Sequence, residues 1–352
     1  MSSGRRAVVV GTGLIGGSIG LALKAQGWHV TGRDVDEARA ARAVELGALD
    51  DVGDDPDAEI TFVATPVGSI AAEARSALRG GGVVTDVGGV KGPVVAEVAD
   101  ARFVGGHPMA GSEQEGVDGA DAALFEGATW VLTPTDDTDA DAYAQVRAIV
   151  SSLGAEVVAL RPEDHDELVA LVSHVPHLTA AALMELAASG AEEHTALLRL
   201  AAGGFRDMTR VAAGHPGIWL DVCAQNRDAI VAGIDGLQAA LANMRALVEA
   251  GDRDGLSAWL ERARAARVNL PSTAPRPEEL AEIRVPVPDR PGVIAEVTTL
   301  VSELGVNMFD LETVHSAEGG GVFIFLVDAH SADLVRGALL ARKYKPSAQR
   351  LA

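Results

Sequence analysis

The chain has 352 residues, of which 48% are hydrophobic, so it is long and apolar enough for two or three domains with separate cores. Its formal net charge of −21 disfavours nonspecific binding to nucleic acid or to an anionic membrane. A single cysteine excludes an intramolecular disulfide. No segment has the composition of a secretion leader or approaches the ~20 apolar residues of a membrane span, so we expect a soluble, cytoplasmic protein with a small-molecule substrate.

Short apolar segments alternate with helical patterns from residue 6 to about residue 160. This alternation predicts a parallel, doubly wound sheet in an α/β domain that spans residues 1–163. The predicted strands are residues 7–10, 29–34, 60–65, 82–88, 102–107, 128–134 and 156–160.

The periodicity between residues 164 and 270 is almost entirely helical, which predicts an all-α second domain. Residues 216–252 predict one long helix, with Pro216 near its start and Gly251 near its end. Because much of the surface of such a helix is apolar, it needs a partner helix, and we expect a homodimer.

Residues 271–280 are rich in proline and lack periodicity, which predicts a stiff linker. Beyond it, residues 281–352 alternate strand, helix, strand, strand and helix. This order predicts a small α+β domain of the ferredoxin-like kind.

A glycine-rich stretch follows the first predicted strand and opens the first predicted helix. Gly11 permits a tight turn, Gly13 lets the backbone approach a pyrophosphate, and Gly16 lets the helix pack closely on the sheet. Asp34 ends the second strand, where a carboxylate bonds the ribose hydroxyls and favours NAD over NADP, although Arg33 beside it weakens that preference. We therefore expect a Rossmann-type domain whose cofactor contacts are Gly11, Gly13, Leu14, Ile15, Gly16, Asp34, Thr65 and Pro66.

Three histidines are candidates for chemistry. His107 opens the polar turn "HPMAGSE", where it is a surface residue, a metal ligand or a proton acceptor. His174 and His177 share one face of a helix that Pro176 should kink. Their spacing suits a metal, but no third ligand accompanies them, so we expect no metal and a kinked helix that offers imidazole to a ligand.

The stretch "GGFRDMTR" lies in a break between predicted helices. Either Arg206 or Arg210 is able to clamp a carboxylate with two hydrogen bonds, and either is equally able to form a surface ion pair. The residue pattern does not choose between these possibilities.

Six pieces of the chain occur together in a specific order and spacing. They are "GTGLIGGSIGLAL", "TDVGGVKG", "GGHPMAGSEQEG", "LFEGATWVLTP", "VSHVPHL" and "GGFRDMTR" with Trp219 nine residues after its last arginine. With these pieces the chain resembles, along nearly its whole length, the prephenate dehydrogenase family of tyrosine biosynthesis. The resemblance implies NAD-linked oxidative decarboxylation of prephenate to 4-hydroxyphenylpyruvate; the same chemistry on arogenate stays open. A noncatalytic protein that senses NAD or an amino acid is a third, disfavoured interpretation.

The resemblance implies roles for individual residues. His107, with an ordinary pKa near ~6.5, would accept the proton of the C4 hydroxyl. His177 would position the substrate and Arg210 would hold a carboxylate. The remaining substrate-pocket residues would be Ser112, Glu113, Gly203, Trp219 and His174.

One position departs from the family pattern. Gly89 stands where the family often has a serine that bonds the same hydroxyl, which puts that hydrogen bond in doubt. Lys91, two residues later, is interpreted either as a surface lysine or as a neighbour of the cofactor or substrate.

The segment 281–352 contains "DRPGV" as a turn into its first helix and "GVNM" at the start of its second strand, and it resembles an ACT domain, a small regulatory fold. The resemblance implies that tyrosine or another aromatic amino acid binds here and inhibits; a purely structural pairing domain without a ligand stays open. Gly292 would allow close backbone approach, and Asn307 would start the second strand of the domain.

Overall fold

The computed structural model describes residues 4–112, 114, 116–193, 197–214, 216–269, 280–288, 290–316 and 320–351. Within it the chain divides into two compact units, Met1–Asp252 and Arg253–Ala352. Glu113 and residues 271–279 of the predicted linker lie outside the described residues. Leu280, predicted as the last linker residue, instead begins a strand.

The first unit contains an eight-stranded sheet with the order β3-β2-β1-β4-β5-β6-β7-β8. Every predicted strand is present, and the short strand β3 is an addition. The strands are β1 (Arg6–Val10), β2 (His29–Arg33), β3 (Asp51–Val52), β4 (Ile60–Val63), β5 (Val83–Asp86), β6 (Phe103–Pro108), β7 (Thr129–Thr133) and β8 (Glu156–Ala159).

The sheet is not wholly parallel, contrary to the sequence prediction. Strands β6 and β7 are antiparallel, with His107 opposite Val131. A parallel neighbour needs a crossover, usually a helix, on one face of the sheet. The connection from β6 to β7 contains only the 3₁₀ turn Val117–Gly119 among its described residues, so the chain returns in the opposite direction.

Helices cover both faces of this sheet, which is why strand β4 is buried along its whole length. On one face α1 and α5 pack around Trp130, and on the other α3 and α4 pack with the helical region that follows. The helices are α1 (Leu14–Ala25), α2 (Glu37–Glu45), α3 (Val67–Ala77), α4 (Gly92–Val98) and α5 (Ala140–Ser152).

The helical region continues the first unit. It consists of α6 (Pro162–Val169), a π turn (Ala170–His174), α7 (Val175–Glu193), α8 (Gly203–Thr209), α9 (Pro216–Gln225) and α10 (Arg227–Glu249). The prediction of a single helix over residues 216–252 is wrong, because the chain breaks at Asn226. The side-chain amide of Asn226 donates to the carbonyl oxygen of Asp166 at 2.8 Å, and its backbone leaves the helical region at φ −111° and ψ 32°.

One helical run, Pro162–Gly190, is long and apolar enough to cross a membrane, contrary to the sequence expectation. His165, Asp166 and His174 lie buried on this run and form polar contacts with neighbouring segments. We therefore interpret it as a packed helix, since buried polar contacts of this kind hold it against the rest of the unit. Its large exposed apolar side chains are Leu168, Leu171, Val172 and Leu186.

The second unit contains an antiparallel sheet with the order β10-β11-β9-β12. The β-α-β-β-α-β order confirms the ferredoxin-like fold, and β12 is a strand that the sequence pattern missed. The elements are α11 (Arg253–Val268), β9 (Leu280–Pro288), α12 (Val293–Glu303), β10 (Asp310–Ser316), β11 (Gly320–Asp328), α13 (Ala332–Ala341) and β12 (Ser347–Arg350).

Asn307 does not start a strand, as the sequence had suggested. Gly305, at φ 69°, ends α12, and the amide of Val306 donates back to the carbonyl oxygen of Val301. Asn307 therefore lies in the irregular segment between the turn and the strand, and strand pairing begins at Asp310 opposite Leu326.

Candidate active site

The glycine loop leaves an open backbone at the amino end of α1. Gly11 lies at the carboxyl end of β1 with φ 92°, and a side chain there would overlap the carbonyl oxygen of Ala64. A side chain at Gly16 would overlap the carbonyl oxygen of Gly11. At Gly13, by contrast, no atom lies within 4 Å of a built Cβ. Amide groups at such a helix end stabilise a phosphate, so the loop fits a pyrophosphate.

Acidic side chains organise the rim of this loop. The Asp34 carboxylate accepts hydrogen bonds from the backbone amide of Thr12 at 2.7 Å and from its hydroxyl at 3.2 Å. Arg33 turns away, because its guanidinium pairs with Asp54 at 2.9 Å and with Glu73 at 2.6 Å. The carboxylate of Asp34 is thus fixed beside the glycine loop, while the positive charge of Arg33 is already matched by two carboxylates.

The remaining cofactor candidates lie at the same edge of the sheet. Leu14 and Ile15 are the first, half-buried residues of α1, and Pro66 precedes α3. Thr65 follows β4, and its buried hydroxyl has no hydrogen-bond partner among the described residues. A ligand or an ordered water would satisfy such a hydroxyl, so the position of these residues at the sheet edge fits a dinucleotide.

His107 lies near the end of β6 and is linked to a second histidine. Its Nδ1 is 2.9 Å from Nε2 of His165, and Nδ1 of His165 is 2.8 Å from Oδ1 of Asp166. Asp166 also accepts the backbone amides of Lys91 at 2.7 Å and Gly92 at 2.8 Å. The helix α6 is therefore joined to the loop after β5 through one carboxylate.

Lys91 is completely buried, so its interpretation as a surface lysine is wrong. Its ammonium group forms an ion pair with Asp86 and donates to the carbonyl oxygen of Gly106 at 2.8 Å. Asp86 in turn accepts the amides of Gly88 at 2.9 Å and Gly106 at 3.0 Å. This buried pair ties the loop after β5 to the strand that carries His107.

Gly89 lies beside the other edge of the His107 ring. A Cβ at Gly89 would be 3.8 Å from both Cε1 and Nε2 of His107, which is an ordinary contact distance. The Nε2 edge therefore faces Gly89, whereas the Nδ1 edge faces His165.

A second group of rings forms a wall on the helical region. His177 stacks on Trp219 with ring centroids 3.6 Å apart and planes 16° apart. His174 approaches the same indole edge-on at 6.1 Å, and its Nδ1 is 3.2 Å from the side-chain nitrogen of Asn226. His174 and His177 thus share one helix face, as predicted, and both rings contact Trp219.

The π turn before Pro176 decides which way these histidines point. Pro176 lacks an amide hydrogen, and the wider turn accommodates its ring while the amide of Val175 bonds to the carbonyl of Ala170. Nine residues of ideal α-helix advance by about 900°, which would put His165 and His174 on opposite faces. The π turn adds one residue without adding rotation, so the angle between the two side chains falls from about 180° to about 80°. His165 and His174 therefore lie on the same side of the helical run.

Several predicted substrate residues are exposed. Ser112 is exposed, and its hydroxyl accepts the amide of Gln114 at 3.2 Å. Gly203 begins α8, and Arg210 begins the 3₁₀ turn after it; both are exposed. Arg206 contacts the carbonyl oxygen of Ala201 at 3.3 Å.

Sequence reasoning missed His165, Asp166, Asp86 and Asn226. A signal existed for the first two, because a histidine followed directly by an aspartate opens the helix that also carries His174. Nothing local in the sequence marks the roles of Asp86 and Asn226, since their partners are distant along the chain.

Burial changes the proton affinity of the histidines. Desolvation, with smaller repulsion from His165, Lys91 and His174, holds the pKa of His107 well below its usual range, not near the ordinary value expected from the sequence. Burial also lowers the pKa of His177. These imidazoles are therefore neutral at pH 7 and available as hydrogen-bonding partners.

We expect the first unit to lose stability in mild acid because of His174. Burial, partly offset by Asp166, lowers its pKa from 6.5 to about 4. The folded state therefore binds this proton more weakly than the unfolded state, and stability that is full above pH 6.5 falls as the pH drops towards 4. The loss is at most about 3 kcal/mol.

The His174→Asn variant tests this expectation. Its side-chain oxygen still accepts a hydrogen bond from Asn226, but it does not titrate. Denaturant unfolding at pH 7 and at pH 4.5 should show a smaller acid loss in the variant than in the wild type. Equal losses in the two proteins would contradict the assignment.

Three family models match the chain: "Prephenate dehydrogenase, nucleotide-binding domain" over residues 19–159, "Prephenate dehydrogenase, dimerization domain" over 161–262, and "ACT domain" over 281–341. Among solved structures, Aquifex aeolicus prephenate dehydrogenase in complex with hydroxyphenyl propionate and NAD+ aligns with a TM-score of 0.72 and 29% identity, covering 76% of this chain and 98% of that one. Synechocystis arogenate dehydrogenase aligns with a TM-score of 0.65 and 31% identity, and the alignment covers 74% of this chain and 98% of that one.

Among curated proteins, the prephenate dehydrogenase of Bacillus subtilis (strain 168) is 34% identical over 329 residues, which cover 88% of each chain. These matches agree with the α/β sheet of the first unit and with the ferredoxin-like second unit. The chain belongs to the prephenate dehydrogenase family.

Proposed function

We propose that this protein catalyses the NAD-dependent oxidative decarboxylation of prephenate to 4-hydroxyphenylpyruvate. The position of His107 carries the proposal. Strands β1, β4, β5 and β6 are parallel neighbours, so the glycine loop, Thr65, Gly89 and His107 all lie at the carboxyl edge of one sheet. That edge is where ligands bind in open α/β sheets, and the Nε2 edge of His107 is turned away from its partner histidine.

The chemistry follows from this base. Nε2 of His107 accepts the proton of the C4 hydroxyl as the carbonyl forms. The glycine loop of Gly11, Gly13 and Gly16 would hold NAD, which would supply the acceptor for the hydride from that same carbon. Loss of the ring carboxylate as CO2 restores aromaticity, and the proton returns to the phenolate oxygen, so no net proton is consumed.

We propose that the second ring group holds the rest of the substrate. His177, stacked on Trp219, presents one ring edge for positioning the substrate. Arg210 would bind a substrate carboxylate through its planar guanidinium, with Gly203 allowing close backbone approach. The proposed substrate-binding residues also include His174, Ser112 and Glu113. Glu113 lies outside the described residues.

Arogenate dehydrogenase is the alternative, supported by the similarity to the Synechocystis enzyme. Purified protein should be offered prephenate and arogenate separately, each with NAD, while the absorbance of the reduced cofactor is followed. We expect faster turnover of prephenate. Preference for arogenate would establish the alternative, and no turnover of either would overturn the proposal.

We expect NAD to be preferred over NADP by about 10²-fold or more in kcat/KM. A 2′-phosphate beside Asp34 would meet a like charge, which costs several kcal/mol, and Arg33 is held by Asp54 and Glu73. The double variant D54N/E73Q should narrow the preference by releasing Arg33. The same double variant carrying Arg33→Ala is the matched control, and its preference for NAD should not narrow. Equal kcat/KM with NAD and NADP in the wild type would contradict the argument.

We expect Gly89→Ser to raise kcat/KM by about fivefold. The space beside His107 accepts a Cβ without a clash, and an added hydroxyl there supplies a hydrogen bond to the substrate worth about 1 kcal/mol. Gly89→Ala is the matched control, because it adds the same Cβ without the hydroxyl. Steady-state kinetics should show a gain for serine only; equal behaviour of the two variants would refute the effect.

We propose that the second unit binds an aromatic amino acid, tyrosine first among them. A cavity of about 300 Å³ is lined by Arg290, Gly292, Val293 and Thr313 among others. Gly292, at φ 83°, precedes α12 and leaves its backbone open, as an amino acid carboxylate requires. Asn307 is not among the lining residues. Calorimetric titration with tyrosine, and inhibition of turnover by it, test this proposal; absence of binding would overturn it.

We propose a homodimer in the cytoplasm, with domains over residues 1–163, 164–270 and 280–352 and a linker over residues 271–279. The matched dimerization model and the exposed apolar side chains of the Pro162–Gly190 run support the dimer. Sedimentation equilibrium should give twice the chain mass of 36.2 kDa. A monomer at micromolar concentration would contradict the assignment.

A further inference from the structure

We propose that His165 and Asp166 hold His107 in the single tautomer that is able to accept a proton at Nε2. The proposal assigns positioning roles to two residues that do not touch the substrate, and it rests on the proposed dehydrogenase function for its kinetic consequence. Two successive contacts carry it, and the first determines the hydrogen position in the second.

The first contact is set by Asp166. Its Oδ1 receives the backbone amide of Lys91 and its Oδ2 receives that of Gly92, so donors approach both oxygens. A carboxylate with this environment is an acceptor. Nδ1 of His165, 2.8 Å from Oδ1, must therefore carry the hydrogen of that contact.

The second contact transfers this constraint to His107. With its hydrogen on Nδ1, a neutral His165 has a lone pair on Nε2. This atom is 2.9 Å from Nδ1 of His107, so Nδ1 of His107 carries the hydrogen and donates it. The lone pair of His107 then lies on Nε2, the atom that faces the Gly89 side of the ring.

The surroundings hold the two rings in this arrangement. His165 is fully buried, and its ring meets that of His107 edge-on at 5.1 Å. The charged or titratable groups that face the histidine pair are Lys91, His174 and Asp166, and the charge of Lys91 is matched by Asp86. A protonated His165 would reverse the pattern, because two ring donors would force the hydrogen of His107 onto Nε2.

The consequence for catalysis is specific. If the acceptor beside Nδ1 is removed, His107 is free to carry its hydrogen on Nε2, where it would meet the substrate hydroxyl with a donor instead of a lone pair. When His107 does accept the proton, its Nδ1 hydrogen still points to His165, and the carboxylate behind it stabilises the positive charge. Both effects act on kcat and leave the substrate contacts unchanged.

Nitrogen chemical shifts of the imidazole rings test the tautomer directly. In wild-type protein labelled with ¹⁵N-histidine, long-range ¹H–¹⁵N correlation spectra at pH 7.5 should show an unprotonated Nε2 and a protonated Nδ1 for His107. The signals of His107 are identified as those that are missing from the spectrum of the His107→Asn variant. A protonated Nε2 in the wild type would overturn the proposal, whatever any variant does.

Kinetics of three variants test the role. His165→Phe removes the acceptor with an apolar ring and should lower kcat about 10²-fold with KM within about threefold. His165→Gln keeps an acceptor at the end of its side chain and should recover about tenfold of that loss. His29→Gln, a half-exposed histidine that also lies beside an aspartate, is the matched control and should change neither constant.

The outcomes separate this inference from the proposed function. A wild-type protein inactive on prephenate and arogenate would refute the function, and the spectra would still decide the tautomer. An active wild type with an unchanged kcat in His165→Phe would refute the inference alone. Equal losses in the phenylalanine and glutamine variants, with His107 still unprotonated at Nε2 in both, would also refute it.

Discussion

Replacing His107 with asparagine is expected to lower kcat by about 10²- to 10⁴-fold while the dissociation constant for prephenate changes little. General acid–base groups contribute accelerations of this size. The asparagine amide reaches the position of Nδ1 and is able to donate to Nε2 of His165, which preserves the neighbouring contact. It places no atom at the position of Nε2, so the hydroxyl proton has no acceptor.

Steady-state kinetics and calorimetric titration of the substrate measure the two quantities separately. His29→Asn, at the half-exposed first residue of β2, is the control and should leave both unchanged. Because burial holds the pKa of His107 well below its usual range, the wild-type kcat/KM should not fall on account of His107 between pH 8 and pH 6.5. A variant with the wild-type rate would remove His107 from the mechanism.

Replacing Lys91 with methionine is expected to destabilise the first unit by about 3–5 kcal/mol, a decrease in Tm of about 10 °C. The ammonium group is buried with Asp86, and its loss leaves a buried carboxylate without its counter-charge. The amides of Gly88 and Gly106 still donate to that carboxylate, but they do not neutralise it. Differential scanning calorimetry at pH 7 measures the effect.

Two further variants test whether the loss of stability comes from the burial of the ion pair. In the double variant K91M/D86N the negative charge is also removed, and the asparagine oxygen still accepts an amide, so the loss should be smaller than in the single variant. Lys24→Met breaks an ion pair with Asp50 that is part-exposed, and it should lower stability by at most about 1 kcal/mol. Equal losses for Lys91→Met and Lys24→Met would contradict the argument.

The predicted helix over residues 216–252 shows why local patterns have limits. Its periodicity is helical on both sides of Asn226, and nothing in the stretch itself marks a break. The break follows from a contact with Asp166, 60 positions earlier, whose carbonyl oxygen accepts the amide of Asn226 in a buried position. A tertiary hydrogen bond of this kind outweighs helix propensity, which is small for each residue.

Lys91 illustrates the same limit in the candidate site. A lysine in a polar loop is exposed in most proteins, and only the position of Asp86 at the end of β5 explains its burial. His165 is a different case, because the histidine and aspartate at the start of α6 were visible in the sequence. Their partner His107 lies 58 positions away, and the pairing depends on how α6 packs against β6 and α4.

The sequence by itself determined the fold class and the main candidates. Hydrophobic periodicity, the loop of Gly11, Gly13 and Gly16, and the histidine at the end of a strand are local signals that physical chemistry translates directly. The tertiary structure alone decided the direction of β7, the burial of Lys91 and the orientation of His107 towards His165. These depend on contacts between distant residues and on the loss of solvent around charged groups, neither of which is encoded in a short stretch of chain.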